Sequence, residues 1–490
     1  MKIDVKLVDS LDAQIKQGHA DEVRLTLAKI SQSEIPRNII SSVAKLALRV
    51  GEAQLAFSVL KPIVNADPPI SPLPSNDEMI QYGMCLKQLG ASEHALKIFK
   101  DLPSKDAPEV LLYEAITLFT QWRYSEAIPK LFQYLDVPIL SEYQKMIGSL
   151  NLASAFIFEN RYDDASELLR PLVQAAEAKN NNLVHGNSLE LLAQISIYQK
   201  QFDLADERIK QASTLINQSS SNYRLFLEKW SAVNSIYKTS GSVSSLQSLD
   251  WVRNKAIELK VWETVRDCDF FFAITKNNRH LFNRQYFGTP FKPYRQRLLR
   301  FDPTPQSLPE FFDWRGNTAH QPVIGALGLL DLSQQDSDMN LSLVKALAMD
   351  FYAPIKAFTL YLKLFPDEKL DPAAAVPRIY SSVSRANKWF KVENMPLKIE
   401  ASEAGYRLNW LGPYTLRIPS LIHFHKDSDA KFVKLQNYFA QQTFSSTEAA
   451  EILNLPKRSV VRLLNYAASD ETLEISGQGR NTRYRFRVAK

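Results

Sequence analysis

The chain has 490 residues, of which 45% are hydrophobic and 23% charged, the balance of a folded, water-exposed protein of roughly three or four domains. No run approaches the roughly 18–20 apolar residues of a membrane span, and the N-terminal MKIDVKLVDSLDAQ lacks the apolar core of a signal peptide. Net charge is +6 but unevenly spread: residues 1–269 hold 29 Lys/Arg against 33 Asp/Glu, a net of −4, and residues 270–490 hold 30 against 20, a net of +10, so a polyanion would be met by the second half.

The first half carries a repeat. Small residues recur twelve positions apart with a large apolar residue four further on: Gly83, Ala95, Phe99; Ala115, Ala127, Leu131; Ala153, Ala165, Leu169; Ala193, Ala205, Ile209; and, earlier, Ala44, Ala56, Leu60, with a weaker copy at Leu11, Val23, Leu27. The central members Val23, Ala56, Ala95, Ala127, Ala165 and Ala205 are separated by 33, 39, 32, 38 and 40 residues. Two antiparallel helices need small side chains where their backbones approach, and large ones a turn later to fill the gap to the next pair. The turns fall between these anchors, at Gln88-Leu89-Gly90-Ala91, Gln121-Trp122-Arg123-Tyr124, Glu159-Asn160-Arg161-Tyr162 and Lys200-Gln201-Phe202-Asp203. The pattern over about residues 8–220, extending to about 265 in degraded form, resembles tetratricopeptide repeats. That resemblance implies an α-solenoid over 1–269 whose concave surface binds a protein or peptide. An irregular helical bundle is the alternative. Cys85 and Cys268 match no metal spacing and read as free thiols of a cytoplasmic protein, and His19, His94 and His185 are isolated.

Residues 270–307 read as a basic, aromatic-rich junction. Between 270 and 301 there are seven Lys/Arg, no acid and nine aromatic residues. Stacking on single-stranded nucleic acid is one use of such a segment. The favoured one is that its rings pack the last repeat onto the next domain while its arginines are solvated.

Residues 308–415 open with short strands in 311–332, continue with helices in 340–365, and then give a helix over about 372–391 with Asp371 as N-cap and Pro372 at its first position. This helix carries Arg378, Arg385, Lys388 and Lys391 and no acid. A hairpin follows, Leu397–Glu400 and Tyr406–Trp410 about Glu403-Ala404-Gly405. The run Val383-Ser384-Arg385, then Leu397-Lys398-Ile399-Glu400-Ala401 and Ala404-Gly405-Tyr406-Arg407-Leu408, resembles the OmpR/PhoB-type winged helix, departing from it in having no preceding receiver domain and in Ala386-Asn387 where a more basic pair is usual. The resemblance implies DNA contact through Arg378, Arg385 and Lys388; packing or dimerisation is the other use of such a module.

After a linker, 416–428, residues 429–490 give the sharpest pattern. A helix at about 429–441 precedes Ser445, with Glu448 three residues on as a capping box. The helix Thr447–Leu453, the turn Asn454-Leu455-Pro456 and the helix Lys457–Tyr466 form a helix-turn-helix, and Leu473–Ser476 and Thr482–Phe486 flank Gly477-Gln478-Gly479-Arg480-Asn481 as a wing. With Val460, Val461, Leu463 and Leu464 inward, Lys457, Arg458, Ser459, Arg462 and Asn465 face a major groove, and Arg480, Asn481 and Arg483 reach phosphates or a minor groove. This segment resembles the winged helix of many bacterial regulators. There is no phosphate-cradling loop and no catalytic spacing, and His423-Phe424-His425 lacks a ligand set. The expectation is therefore mainly α: a TPR-like α-solenoid followed by two α+β winged-helix domains, resembling bacterial transcription regulators that join such repeats to a winged-helix output. It needs no cofactor, metal or enzymatic activity, its partners are double-stranded DNA and a protein or peptide, and two-fold DNA sites would suit a homodimer. A protein-interaction scaffold is the rival.

Overall fold

The computed structural model describes residues 3–16, 19–66, 71–216, 221–301, 308–316, 328–333, 338–366, 368, 370, 372–420, 435, 438–439, 442–453, 455–469, 473–477, 479 and 482–486. It is mainly helical: an α-solenoid of hairpins followed by small sheets toward the C-terminus. The hairpins are α1 (Val5–Lys16) with α2 (Ala20–Leu27), α3 (Ile40–Arg49) with α4 (Ala53–Val64), α5 (Asn76–Gln88) with α6 (Ser92–Asp101), and α7 (Glu109–Phe119) with α8 (Tyr124–Leu135). They continue as α9 (Glu142–Phe158) with α10 (Tyr162–Ala178), α11 (Asn182–Tyr198) with α12 (Phe202–Leu215), α13 (Ser221–Lys238) with α14 (Val243–Glu258), and α15 (Trp262–Thr275) with α16 (Arg279–Phe287).

The repeat anchors sit where helices meet. Ala44, Ala56, Ala95, Ala115, Ala127, Ala153, Ala165, Ala193 and Ala205 are completely buried, as are Leu60, Leu131 and Leu169 beside them. The turns share a backbone device. In successive hairpins the N–H of Glu52, Ala91, Arg123, Arg161, Gln201, Gly241 and Asn278 donates to the carbonyl five residues back, closing the first helix in the manner of a Schellman cap, and Val261 closes α14 in the same way. The residue before most of these takes a left-handed conformation, Gly51 and Gly90 without strain, Trp122, Asn160 and Lys200 with it. At Gly90 a side chain is excluded a second time, because an added Cβ would lie 2.4 Å from Thr359 Oγ1.

Residues 270–301 form the end of α15, all of α16, and α17 (Lys292–Arg300). The rings of Phe270, Phe271, Phe272, Phe282, Phe287 and Tyr294 are buried. The expectation that the arginines beside them would be solvated is corrected. Arg284 is buried, and Arg297 lies against Phe158 and Phe301, with guanidinium-to-ring distances of 4.9 and 5.8 Å. Hydrophobic rings attract guanidinium faces, so these cations serve packing.

Beyond α17 a three-stranded sheet, order β1-β5-β2, joins β1 (Phe311–Trp314) antiparallel and β2 (Leu329–Asp331) parallel to β5 (Thr415–Pro419). Between β2 and β5 run α18 (Met339–Leu347), α19 (Ala357–Leu364), α20 (Pro372–Val392) and the hairpin β3 (Leu397–Ser402) with β4 (Gly405–Trp410). A last unit contains α21 (Ser446–Leu453), α22 (Lys457–Ser469) and the hairpin β6 (Leu473–Ser476) with β7 (Arg483–Phe486). One hydrophobic core joins the first hairpins (Ile3 to Val110) and the last ones (Ala193 to Leu298) to the 308–420 unit as far as Ile418, the middle hairpins from Ala115 to Ile195 pack in a second core, and residues 435–486 have a core of their own.

Polar groups pin the 308–420 unit to the solenoid. Arg266, on α15, is wholly buried and donates to both carboxylate oxygens of Asp350 at 2.9 and 3.1 Å, to the Thr289 hydroxyl at 2.6 Å and to Glu263 at 3.1 Å. Asp350 also accepts the backbone N–H groups of Tyr352 and Ala353. Nearby, Arg253 and Arg284 share Asp269, and Arg284 also donates to the Tyr352 hydroxyl. Burial disfavours the charge on Arg266, but Asp350 and Glu263 more than offset this and hold the guanidinium above its ordinary range. At the other end of the contact, Lys356 donates to the Gln88 carbonyl, Thr359 donates to that of Gly90 at 2.9 Å, and Phe358 meets Phe57 edge-on.

Candidate nucleic-acid interface

Helix α20 is amphipathic for a simple reason: Ala375, Ile379, Ser382, Val383, Ala386 and Phe390 recur at helical spacing and are all buried. The opposite face exposes Tyr380, Ser381, Ser384, Arg385, Lys388 and Lys391, without an acid anywhere on the helix. Arg385 and Lys388 are therefore exposed, and Arg385 donates to Ser382 of its own helix at 3.2 Å. Arg378 does not join them. Its guanidinium forks onto the Glu368 carboxylate and lies 3.8 Å from the centre of the Phe365 ring. Ala386 and Asn387, which stand where a basic pair is usual, have structural duties. Ala386 is completely buried, and the Asn387 amide pairs with both backbone groups of Ile399, accepting at 2.8 Å and donating at 3.0 Å, so it borders β3 as a strand would.

The β3–β4 hairpin also faces inward. Arg407 donates to the Tyr352 carbonyl and its guanidinium lies 4.7 Å from the centre of the Trp262 ring, on the solenoid. Tyr406 exchanges backbone hydrogen bonds with Ile355, at 2.8 Å each. The turn needs Gly405, whose φ is +130° and where a Cβ would lie 2.6 Å from the Ile355 carbonyl oxygen. Sequence reasoning placed Arg407 within the hairpin but gave no sign of this docking, nor of Arg266 and Asp350, which lie 84 residues apart.

The second unit builds its presentation from a different core. Leu435, Phe439, Phe444, Ala449, Val460, Leu464, Leu473, Tyr484 and Phe486 pack together. Phe444 pairs with Tyr484 through two backbone hydrogen bonds, which ties the segment before α21 to the hairpin. Ser445 and Glu448 form the capping box: the Ser445 N–H reaches the Glu448 carboxylate at 2.6 Å and the Glu448 N–H reaches the Ser445 hydroxyl at 3.2 Å. Val460 and Leu464 are fully buried on α22, with Val461 and Leu463 partly so. This leaves Lys457 and Arg458 exposed in the first turn of α22, which contains no acid. Two cations at the positive end of a helix dipole oppose it, and an anion there would relieve both.

Ser459, Arg462 and Asn465 belong to α22, but their side chains lie outside the described residues, as do Arg480, Asn481 and the pair His423 and His425. Arg483 is exposed on β7 and paired with Glu448 at 2.8 Å, so one expected wing cation is already partnered. The cations are thus split: Arg385, Lys388, Lys457 and Arg458 are outward, and Arg378 and Arg483 hold carboxylates.

Among the described residues no group of three or more His, Cys, Asp or Glu is placed to hold a metal ion, and no helix is long and apolar enough to cross a membrane. Cys85 and Cys268 are buried free thiols, and burial pushes both up from the ordinary value. No family model and no curated protein matches the chain. Among solved structures, the apo form of RapI aligns with 54% of this chain and 98% of that one, at 15% identity and a TM-score of 0.40.

Proposed function

We propose that the chain is a non-enzymatic, DNA-binding transcription regulator of the cytoplasm. Its solenoid receives a protein or peptide partner, and its two C-terminal α+β units are winged helices. The observation that carries the reading is the first turn of α22, where Lys457 and Arg458 stand exposed at a helix N-terminus with no acid, behind a capped α21 and beside the β6–β7 hairpin. A phosphate in that position gains from both charges and from the free helix amides. The acid-free outer face of α20, with Arg385 and Lys388, is the second reader.

The test is a fluorescence-anisotropy titration of the full chain against random duplex DNA across a salt series. The reading expects log Kobs to fall linearly with log salt, by about 0.9 per phosphate contacted. Absence of binding at low salt sinks it. A protein-interaction scaffold is the second reading, favoured by the commitment of Arg378, Arg407 and Arg483 to groups within the chain. It expects no salt-dependent duplex binding.

A further inference from the structure

The solenoid presents a row of rings, Trp122, Phe158, Tyr198, Trp230 and Phe271, contributed by successive hairpins. Three of the four neighbouring pairs are in ring contact, Trp122 with Phe158 at 5.3 Å, Tyr198 with Trp230 at 6.2 Å, and Trp230 with Phe271 at 5.9 Å. Against this row lies α17. Tyr294 meets Trp122 edge-on at 4.4 Å, Arg297 stacks on Phe158 and donates to the Tyr198 hydroxyl at 3.4 Å, and Leu298 is buried. The chain's own helix therefore occupies a surface that repeat geometry offers to a partner.

The occupancy is imperfect. A small cavity remains between α17 and helices α9, α11, α13 and α15, bordered by Phe158, Gln194, Tyr198 and Asp267. Arg297 Nε is buried beside it and has no hydrogen-bond partner among the described residues. Leu299 and Arg300 on the same helix are exposed. A helix of nine residues is too short to hold itself together in water, so α17 persists through its anchors Tyr294, Arg297 and Leu298. The same helix reaches the 308–420 unit through Arg295. Arg295 donates to the Thr289 carbonyl at 2.6 Å and to that of Ser420, just past β5, at 3.4 Å, and the Tyr294 hydroxyl accepts from Gln285, which also donates to the Arg266 carbonyl.

We propose that this row is a recognition groove for a helical segment of Tyr-x-x-Arg-Leu chemistry, that α17 fills it in cis as a displaceable latch, and that a partner protein carrying such a segment replaces it. Replacement withdraws Arg295 from Ser420 and so loosens the 308–420 unit where it meets the solenoid. The reading does not depend on DNA binding.

The probe is a fluorescein-labelled peptide copying residues 290–301, with a control in which the residues matching Tyr294, Arg297 and Leu298 are alanine. A tethered latch has an effective concentration in the millimolar range, so the intact chain resists the peptide. The full chain bearing Tyr294→Ala and Arg297→Ala binds the peptide at least tenfold more tightly than the unaltered chain does, and the control peptide binds neither. Equal affinity for the two chains, no binding to the altered one, or equal binding of the control overturns the proposal. Amide hydrogen exchange on the unaltered chain keeps the test decisive if the variant fails to fold. Residues 292–300 exchange at least tenfold faster than α11, and equal protection overturns the latch.

Discussion

The two C-terminal units were recognised by one signature, a basic helix followed by a glycine-turned hairpin, yet the structure uses them in opposite ways. In residues 308–420 the hairpin arginine, Arg407, is spent on the solenoid and Arg378 on Glu368, and the unit's core is continuous with the repeats. In residues 435–486 the core is separate, and Lys457 and Arg458 point to solvent. A cation's role is thus set by what its element packs on. A unit fused to a scaffold turns part of its charge inward, and a unit closed on itself keeps its helix N-terminus free for an outside anion.

The sharpest way to break this comparison is at Arg266. Arg266→Ala leaves Asp350 buried without its partner, and loss of one member of such a pair costs about 3–5 kcal/mol. Thermal unfolding should show the solenoid and the 308–420 unit losing stability together, while near-ultraviolet signals from Tyr484 and its neighbours stay in place. A shift confined to residues 435–486 would contradict the fused core. Next in size is Gly83→Val. An added Cβ at Gly83 would lie 2.5 Å from Phe99 Cε1, so overpacking should cost about 1–3 kcal/mol by denaturant melts. No change there would mean the hairpin contact is looser than drawn.

Lys457→Ala with Arg458→Ala tests the outward unit. We expect stability to move by no more than about 0.5 kcal/mol, as for exposed side chains, and the salt slope of duplex binding to drop by about two. Arg407→Ala should show the reverse, lower stability with an unchanged slope. If both variants behave alike, the two units are not differently used.

The smallest effect concerns acid. Burial raises the Glu78 carboxyl, but the Arg37 guanidinium and the Ser75 N–H outweigh it and hold the group below its ordinary 4.5. A depressed carboxyl adds stability that is present above its unfolded value and disappears as pH falls through the folded one. Glu78→Gln should therefore be less stable than the parent at pH 7, with the gap closing only below about pH 4.5. A gap that persists unchanged in acid would assign the loss to packing instead.

Much of this architecture was legible because local rules repeat. The twelve-residue spacing of small residues must be read as hairpins, since only a small side chain lets two helices approach, and every alanine so identified is completely buried. The Ser445–Glu448 box and the Gly405 turn are likewise local, written in residues three apart or in one residue that tolerates positive φ. Arg378 resembled Arg385 in sequence and parted from it in space, because Glu368 and Phe365 arrive from a different element. Arg297 looked solvated and is drawn onto Phe158, a ring supplied by a hairpin more than a hundred residues upstream. Sequence alone determined the helical hairpins, their turns and the two C-terminal β-hairpins, through spacing, caps and glycine, whereas β5 (Thr415–Pro419), the central strand of the three-stranded sheet, lies almost wholly in the stretch 416–428 that reads as a linker. Tertiary structure alone decided which cations face water, because burial and ion pairing depend on partners that chain order does not reveal.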